Sequence, residues 1–265
     1  LTATLGGNAF NYDFSAPSPS VCNQSGANLN GQKNSNRTTL TINGAATKSC
    51  NDQADKLIYS SDSKIGIPTY DTHGNTLTLG STSKTNFGYD SSDRNISVNV
   101  GSLRITYKRD VQNRLQERLI YAGAKIMYTA RYGYTGSGDT PDLVRARDGT
   151  IVEKYLTLPG NVLLTMRPTQ PDPNQQKVYS LPNIHGDVFV TTNSIGNLTG
   201  TFLTGPFGES LSGQADPNNT IQRTTYSYVG GNQKLTETIF ALDYMQMGAR
   251  LYVPTTGRFL SVDPV

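Results

Sequence analysis

Tyr89-Asp90-Ser91-Ser92-Asp93-Arg94-Asn95-Ile96 is one of four versions of a single short phrase. The others are Asn51-Asp52-Gln53-Ala54-Asp55-Lys56-Leu57, Tyr70-Asp71-Thr72-His73-Gly74-Asn75-Thr76-Leu77 and Arg109-Asp110-Val111-Gln112-Asn113-Arg114-Leu115. Their aspartates, Asp52, Asp71, Asp90 and Asp110, stand 19, 19 and 20 residues apart, and a fixed period of this length marks a repeat architecture. The chemistry of each phrase is that of a tight turn. An Asp at the first position can accept backbone N–H bonds from two residues on, and Asp55, Gly74, Asp93 and Asn113 are residue types that tolerate positive φ. An apolar residue then restarts a strand. One turn, two strands of about six residues and a return connection use roughly 20 residues. The phrases therefore predict a ribbon of β-hairpins, with residues 71–74, 90–93 and 110–113 outside the strands and Tyr70 and Tyr89 in equivalent places.

The phrase Tyr-Asp-x-x-Gly/Asp-Arg/Asn at this period resembles the YD repeats of the Rhs proteins. The run from Gly248-Ala249-Arg250-Leu251-Tyr252 through Gly257-Arg258-Phe259-Leu260-Ser261-Val262-Asp263-Pro264 is similar to the "GARxYxPxxGRFLSxDP" signature that closes their repeat-associated core domain. Gly205-Pro206-Phe207-Gly208-Glu209 and Gly231-Asn232-Gln233-Lys234-Leu235-Thr236-Glu237 are similar to other core segments. The resemblance runs from about Cys22 to the C-terminus. It divides the chain into a YD-repeat region, 22–150, and a core-like region, 151–265, continuous with it; residues 1–21 stay unplaced, with Tyr12-Asp13 as a worn repeat.

The resemblance implies an all-β fold, a strip of antiparallel hairpins curling into part of a β-spiral or hollow shell. It implies a non-catalytic shell and plug that encloses a C-terminal payload, typically a toxin, in a secreted or cell-surface bacterial protein. The partners would be the rest of the same polypeptide, with further copies of the chain as another option. The family's core is implied to be a self-cleaving unit, cut a short way past the Asp-Pro. Arg250, Gly257, Arg258, Asp263 and Pro264 match the signature, but Val253 stands where the family often has Asp, and the cut would lie beyond Val265. The implied site is at most half of one, and the same residues can serve only to pin the end of the shell.

Composition points the same way. Hydrophobic residues make up 35% of the chain, which also holds 26 Gly and 15 Tyr; that mixture suits many short twisted strands with one wet face. The net charge of +3 is small and spread through turns, which argues against nucleic acid. No stretch reaches the roughly 18 apolar residues of a transmembrane helix. Leu1 and the lack of a charged leader suggest a chain that begins inside a longer one.

Cys22 and Cys50 lie in polar surroundings, unusual for thiols that merely fill a core. A bridge between them, in an oxidising compartment, is the first reading and two free thiols on neighbouring strands the second. With only His73 and His185 besides, they fall short of a zinc site, and nothing calls for a cofactor. His185 in Ile184-His185-Gly186-Asp187 reads as a turn, since no nucleophile elbow accompanies it. Single helical turns are expected only at 116–119 and 242–248. The last segment carries too many apolar groups for a free tail: Leu251 and Phe259 should be buried, Gly257 should reverse the chain, and Arg258 should pair with Asp263 or Asp243. Two other functions fit a β-rich chain of this kind, a filament-forming adhesin with exposed edges and a carbohydrate-binding module with a Tyr-lined groove.

Overall fold

The computed structural model describes residues 1–30, 36–213, 225–238 and 242–263. Their strands form three antiparallel sheets. The first has five strands, from Thr2–Leu5 to Leu57–Ser60; the long sheet has fourteen, from Thr69–Tyr70 to Ser210–Gly213; the closing sheet has five, from Thr225–Tyr226 to Arg258–Phe259. In each, neighbours in sequence are neighbours in space, so the chain is a meander. The long sheet runs without a break past residue 150, and residues 1–21 supply the first two strands.

The repeat phrases are one turn built many times. The first-position carboxylate accepts backbone N–H bonds from the residues two and four places on: Ala54 and Lys56 for Asp52, His73 and Asn75 for Asp71, Ser92 and Arg94 for Asp90, Gln112 and Arg114 for Asp110. The fourth position has positive φ, at Asp55 62°, Gly74 93°, Asp93 58° and Asn113 63°. Flanking residues pair across the five-residue loop, as Tyr70 with Thr76, Tyr89 with Asn95 and Arg109 with Leu115. Tyr70 and Tyr89 are equivalent, since each phenol donates to the carbonyl of the first residue of an earlier strand, Leu57 at 2.6 Å and Thr76 at 3.0 Å.

Asn183 and Asn193 make the same two backbone bonds, with Gly186 and Gly196 at the positive-φ position. The loops 146–150 and 205–209 share the backbone pattern, with Gly149 and Gly208. These four turns lack the Asp-x-x-Asp/Asn/Gly spelling, and their trace in the sequence is the Gly in fourth place.

The core follows from strand alternation. Phe87, Val98, Ile105 and Ile120 stand opposite one another across four strands and are all buried. That apolar row meets Tyr244, Leu251 and Val253 of the closing sheet. Burying a side chain of this size contributes about 1.5–3 kcal/mol, so the two layers hold each other. At the other end, Phe207 and Leu211 pack on Phe10, Tyr12 and Leu40 of the first sheet. The strip has curled, in keeping with strand twist, until residues near 207 touch residues near 12.

Two expectations fail. Residues 116–119 lie in the strand Leu115–Ala122, and Tyr244–Met247 is also a strand. Arg118 and Ile120 are buried in alternation, and strands on both sides satisfy the backbone. Period-2 packing overrides the good helix propensity of Gln, Glu, Arg and Leu.

Candidate functional site

The signature segment folds over the first repeats and is held from three directions. Strand Arg250–Val253 turns at 254–257 into Arg258–Phe259. Gly257 has φ 66° and donates its N–H to Val253 O at 2.9 Å, which is the reversal expected there. Leu251 and Val253 face the long sheet at 1% and 0% exposure. Phe259 does not follow them. It is 39% exposed because it pairs with Tyr252, whose side chain alternates to the other face. Tyr252 meets it edge-on at 5.5 Å, and the Arg250 guanidinium lies 3.9 Å from its ring centre.

Arg258 finds partners other than those expected. It donates to Asp55 O at 2.6 Å and to Asn36 Oδ1, so it ties the signature to the first repeat turn. The cation beside Asp263 is Arg250, at 3.6 Å, and that carboxylate is 80% exposed. Burial holds the Asp243 carboxyl above the ordinary range, and Lys64 offsets this only in part. Pro264 lies outside the described residues. Arg258 and Asp263 thus serve different neighbours.

Arg37 is the second anchor. Its buried guanidinium donates to Glu209 at 3.0 Å, to Pro254 O at 3.3 Å and to Thr255 O. It sits 5.5 Å from the ring centres of both Tyr12 and Phe207. Glu209 also accepts from Tyr12 Oη at 3.3 Å and from the Phe207 N–H at 3.1 Å. One side chain therefore joins the first sheet, the end of the long sheet and the signature turn.

The third anchor is buried charge. Arg118 and Glu237 are each 1% exposed and doubly bonded, with Arg118 Nε donating to Glu237 Oε1 at 2.6 Å. Tyr107 Oη donates to the same oxygen at 3.0 Å. Burial and the Glu237 charge push the Tyr107 phenol well up. Burial alone would push Arg118 down, but the Glu237 charge and its bonds more than offset this. A pair this deep adds little net stability over apolar residues, yet it tolerates one arrangement of its partners. It fixes the register of the closing sheet on the long one.

His185 lies in a turn. Its Nδ1 is 3.0 Å from Asp187 Oδ1, and Asp187 accepts from the Val229 N–H at 2.8 Å. The carboxylate thus pins the start of the closing sheet. Cys22 and Cys50 are bonded, Cα–Cα 5.4 Å, fastening the 22–30 loop to the strand Ala45–Asn51. Sequence reasoning missed Arg37, Arg118 and the charge-partner roles of Glu209 and Glu237; the two glutamates close the quoted segments 205–209 and 231–237, but the arginines carry no local motif and both pairs span more than a hundred residues.

No protein-family model and no curated protein matches the chain. Solved structures do. A Photorhabdus luminescens Tc holotoxin pore carrying a mutation in TccC3 matches with TM-score 0.62 and 16% identity, over 97% of this chain and 12% of that one. A TcdB2-TccC3 crystal structure matches at TM-score 0.46 and 14% identity, over 97% of this chain and 16% of that one. The chain therefore spans about an eighth of the length of the toxin chain it overlays, and it shares the all-β, antiparallel fold of that stretch.

Proposed function

We propose that this chain is a wall-and-plug segment of a secreted bacterial Rhs-type protein, one that helps to enclose and present a C-terminal payload, typically a toxin, carried elsewhere in the same polypeptide. The observation that carries this reading is the closing sheet, folded onto the inner face of one curled meander and anchored to its beginning by Arg258 and its two ends by Arg37. An enclosing wall needs a long sheet with neighbours always adjacent, and it needs its last segment turned inward. The overlay on a Tc toxin chain supports it at the level of fold. The role is structural: Arg258 is spent on Asp55 O and Asn36, and Asp263 stands in solvent beside Arg250. Tyr107, Tyr132, Tyr155 and Tyr244 are buried in packing, which favours a wall over a sugar-stacking platform.

The test is limited proteolysis of the longer polypeptide that carries this chain. Under native conditions its C-terminal payload should be cut far more slowly than the same payload expressed alone, and mild denaturant should remove the protection. Equal cutting rates would overturn the enclosing role. Truncation before Gly248 separates plug from wall: it should lower the melting temperature of this chain and abolish protection together.

A further inference from the structure

Cations scattered along the sequence are gathered by the fold, six of them on one face of the long sheet. Its core-facing side chains, such as Ile105, Ile120, Tyr132 and Val144, alternate along their strands with residues that point away from the closing sheet. On that far side, Lys108, Glu117, Arg131 and Arg145 stand directly opposite one another across four strands. Lys154, Met166 and Lys177 do the same across the next three. Leu143, two places before Arg145, pairs with Lys154 and so puts both rows on one face. Arg104 shares it, with its guanidinium 4.3 Å from the Tyr121 ring centre. All six cations are exposed.

This face is short of counter-charge. The strands from Leu103–Arg109 to Lys177–Pro182 hold two acidic residues, Glu117 and Glu153. Glu153 is buried on the core side, bonded to Arg167 and Tyr155. Glu117 is shared between Lys108 at 3.3 Å and Arg131 at 3.0 Å. Arg145, Lys154 and Lys177 make no ion pair among the described residues. Six cations against one carboxylate concentrate more positive charge here than the +3 of the whole chain. Arg131 even stands directly opposite Arg145, a like-charge pairing that destabilises a sheet unless something offsets it. Beside the second row lies an apolar one: Leu156, Leu164 and Tyr179, each two residues along its strand from Lys154, Met166 and Lys177. Leu156 is 51% exposed.

We propose that this face is a docking surface for an anionic lipid bilayer, contacted peripherally through Lys108, Arg131, Arg145, Lys154 and Lys177. The strands that carry Lys108 and Lys177 are six strand spacings apart, about 29 Å. Charges spread this widely suit a partner that is negative everywhere and needs no matching shape, and an anionic leaflet is both. Cations beside an exposed apolar row are the pattern of interfacial binding. A nucleic acid would instead call for aromatic rings on which bases stack, and the row beside Lys154 and Lys177 is mainly aliphatic. Each Lys or Arg near such a leaflet strengthens association about fivefold, an attraction that fades within a Debye length of about 8 Å at physiological salt. The surface stands whether or not the chain encloses a payload.

Co-sedimentation of this chain with vesicles tests it, using mixed phosphatidylserine and phosphatidylcholine against phosphatidylcholine alone. The chain should bind the mixed vesicles, lose most of that binding in high salt, and ignore the neutral ones. Lys154→Gln/Lys177→Gln should weaken binding about 25-fold, the loss of two such contacts, with an unchanged melting temperature because both side chains are exposed and unpaired. Lys48→Gln/Lys84→Gln removes the same charge from the first sheet and from the turn before Thr85–Tyr89, and it should leave binding within about twofold of the parent. Equal loss in the two double variants would mean that net charge alone is felt, and would overturn the face. Equal binding to both kinds of vesicle, or to neither, would do the same. So would tighter capture by polyglutamate or by RNA than by the mixed vesicles, which would assign these cations to an acidic protein or a nucleic acid.

Discussion

The repeat turns of residues 52–114 and the closing segment of residues 225–263 are held by opposite kinds of contact. In the turns, the bonds that set the structure span two to four residues: Asp90 takes the N–H groups of Ser92 and Arg94, and its other oxygen takes Arg94 Nε at 2.8 Å. Neighbouring turns add lateral links, Asn75 to Asp93 at 2.7 Å and Arg94 to Asn113 at 3.2 Å. In the closing segment, Glu237 meets Arg118 and Arg258 meets Asp55, across 119 and 203 residues. The turns can form before the strip curls; the closing segment cannot settle until it has. A wall made of local turns and locked by distant contacts can be opened at the lock without dissolving the wall.

The largest expected effect tests that separation. Glu237→Ala leaves Arg118 buried without its carboxylate, which costs about 3–5 kcal/mol. Amide hydrogen exchange should show residues 235–259 losing protection well before the strands Leu103–Arg109 and Leu115–Ala122. Uniform loss of protection across both regions would mean that wall and lock are one cooperative unit.

Reduction of the Cys22–Cys50 bridge should act on the other side of the comparison. The bond spans 28 residues, and a loop of that length is worth about 3 kcal/mol. The first sheet should loosen, and with it the Arg37 contact to the signature turn, while the turns at 90–94 and 110–114 stay protected. Melts with and without reductant, read by exchange in those two windows, check this.

Acid separates the regions by sign. Burial pushes the carboxyls of Asp71, Asp90 and Asp110 up, but bonds from the side chain and N–H of the residue four places on outweigh it, and all three sit below the ordinary range. A folded pKa below the unfolded value, about 3.9, gives stability that is complete above that value and lost as pH falls through the folded one. Asp243 in the closing segment is raised by burial, so its contribution is best below the unfolded value and worsens as pH rises. Asp90→Asn should therefore lower the melting temperature at pH 7, and Asp243→Asn should raise it. The same sign for both would break the contrast.

How much could be read beforehand follows from the same division. Asp52, Asp71, Asp90 and Asp110 announce their turns because each turn's physics is contained in seven residues. The turns at Asn183 and Asn193 were less visible because Asn replaces Asp and because they stand 10 residues apart, off the period of the other turns. In the closing segment Leu251 and Gly257 behaved as their local pattern implied, whereas Phe259 faced outward and Arg258 chose Asp55 O and Asn36. Those outcomes depend on which strand lies beneath, and no window of sequence holds that information. Arg118 shows the limit most clearly: an Arg in a strand of mixed polarity reads as a solvated charge until Glu237 is brought to it from 119 residues away.

The smallest effect sharpens the comparison within a single residue type. Tyr70 and Tyr89 occupy the same place in consecutive repeats, but their hydroxyls have different reach. Among the described residues, Tyr70 Oη donates to Leu57 O, a contact within the wall. Tyr89 Oη lies 3.0 Å from Thr76 O and 3.2 Å from Leu260 O, so it also touches the signature. Thr76 N–H in turn donates to Leu260 O at 2.7 Å, which makes Leu260 the point where a repeat turn grips the closing segment. Removing one hydroxyl bond costs about 1 kcal/mol, so Tyr70→Phe and Tyr89→Phe should destabilise by similar, small amounts. They should differ in where the loss appears. Tyr89→Phe should raise exchange at residues 258–260 as well as at Thr76, and Tyr70→Phe should leave 258–260 alone. Should both variants loosen the signature equally, the grip would belong to the strip as a whole rather than to the Tyr89–Leu260 contact.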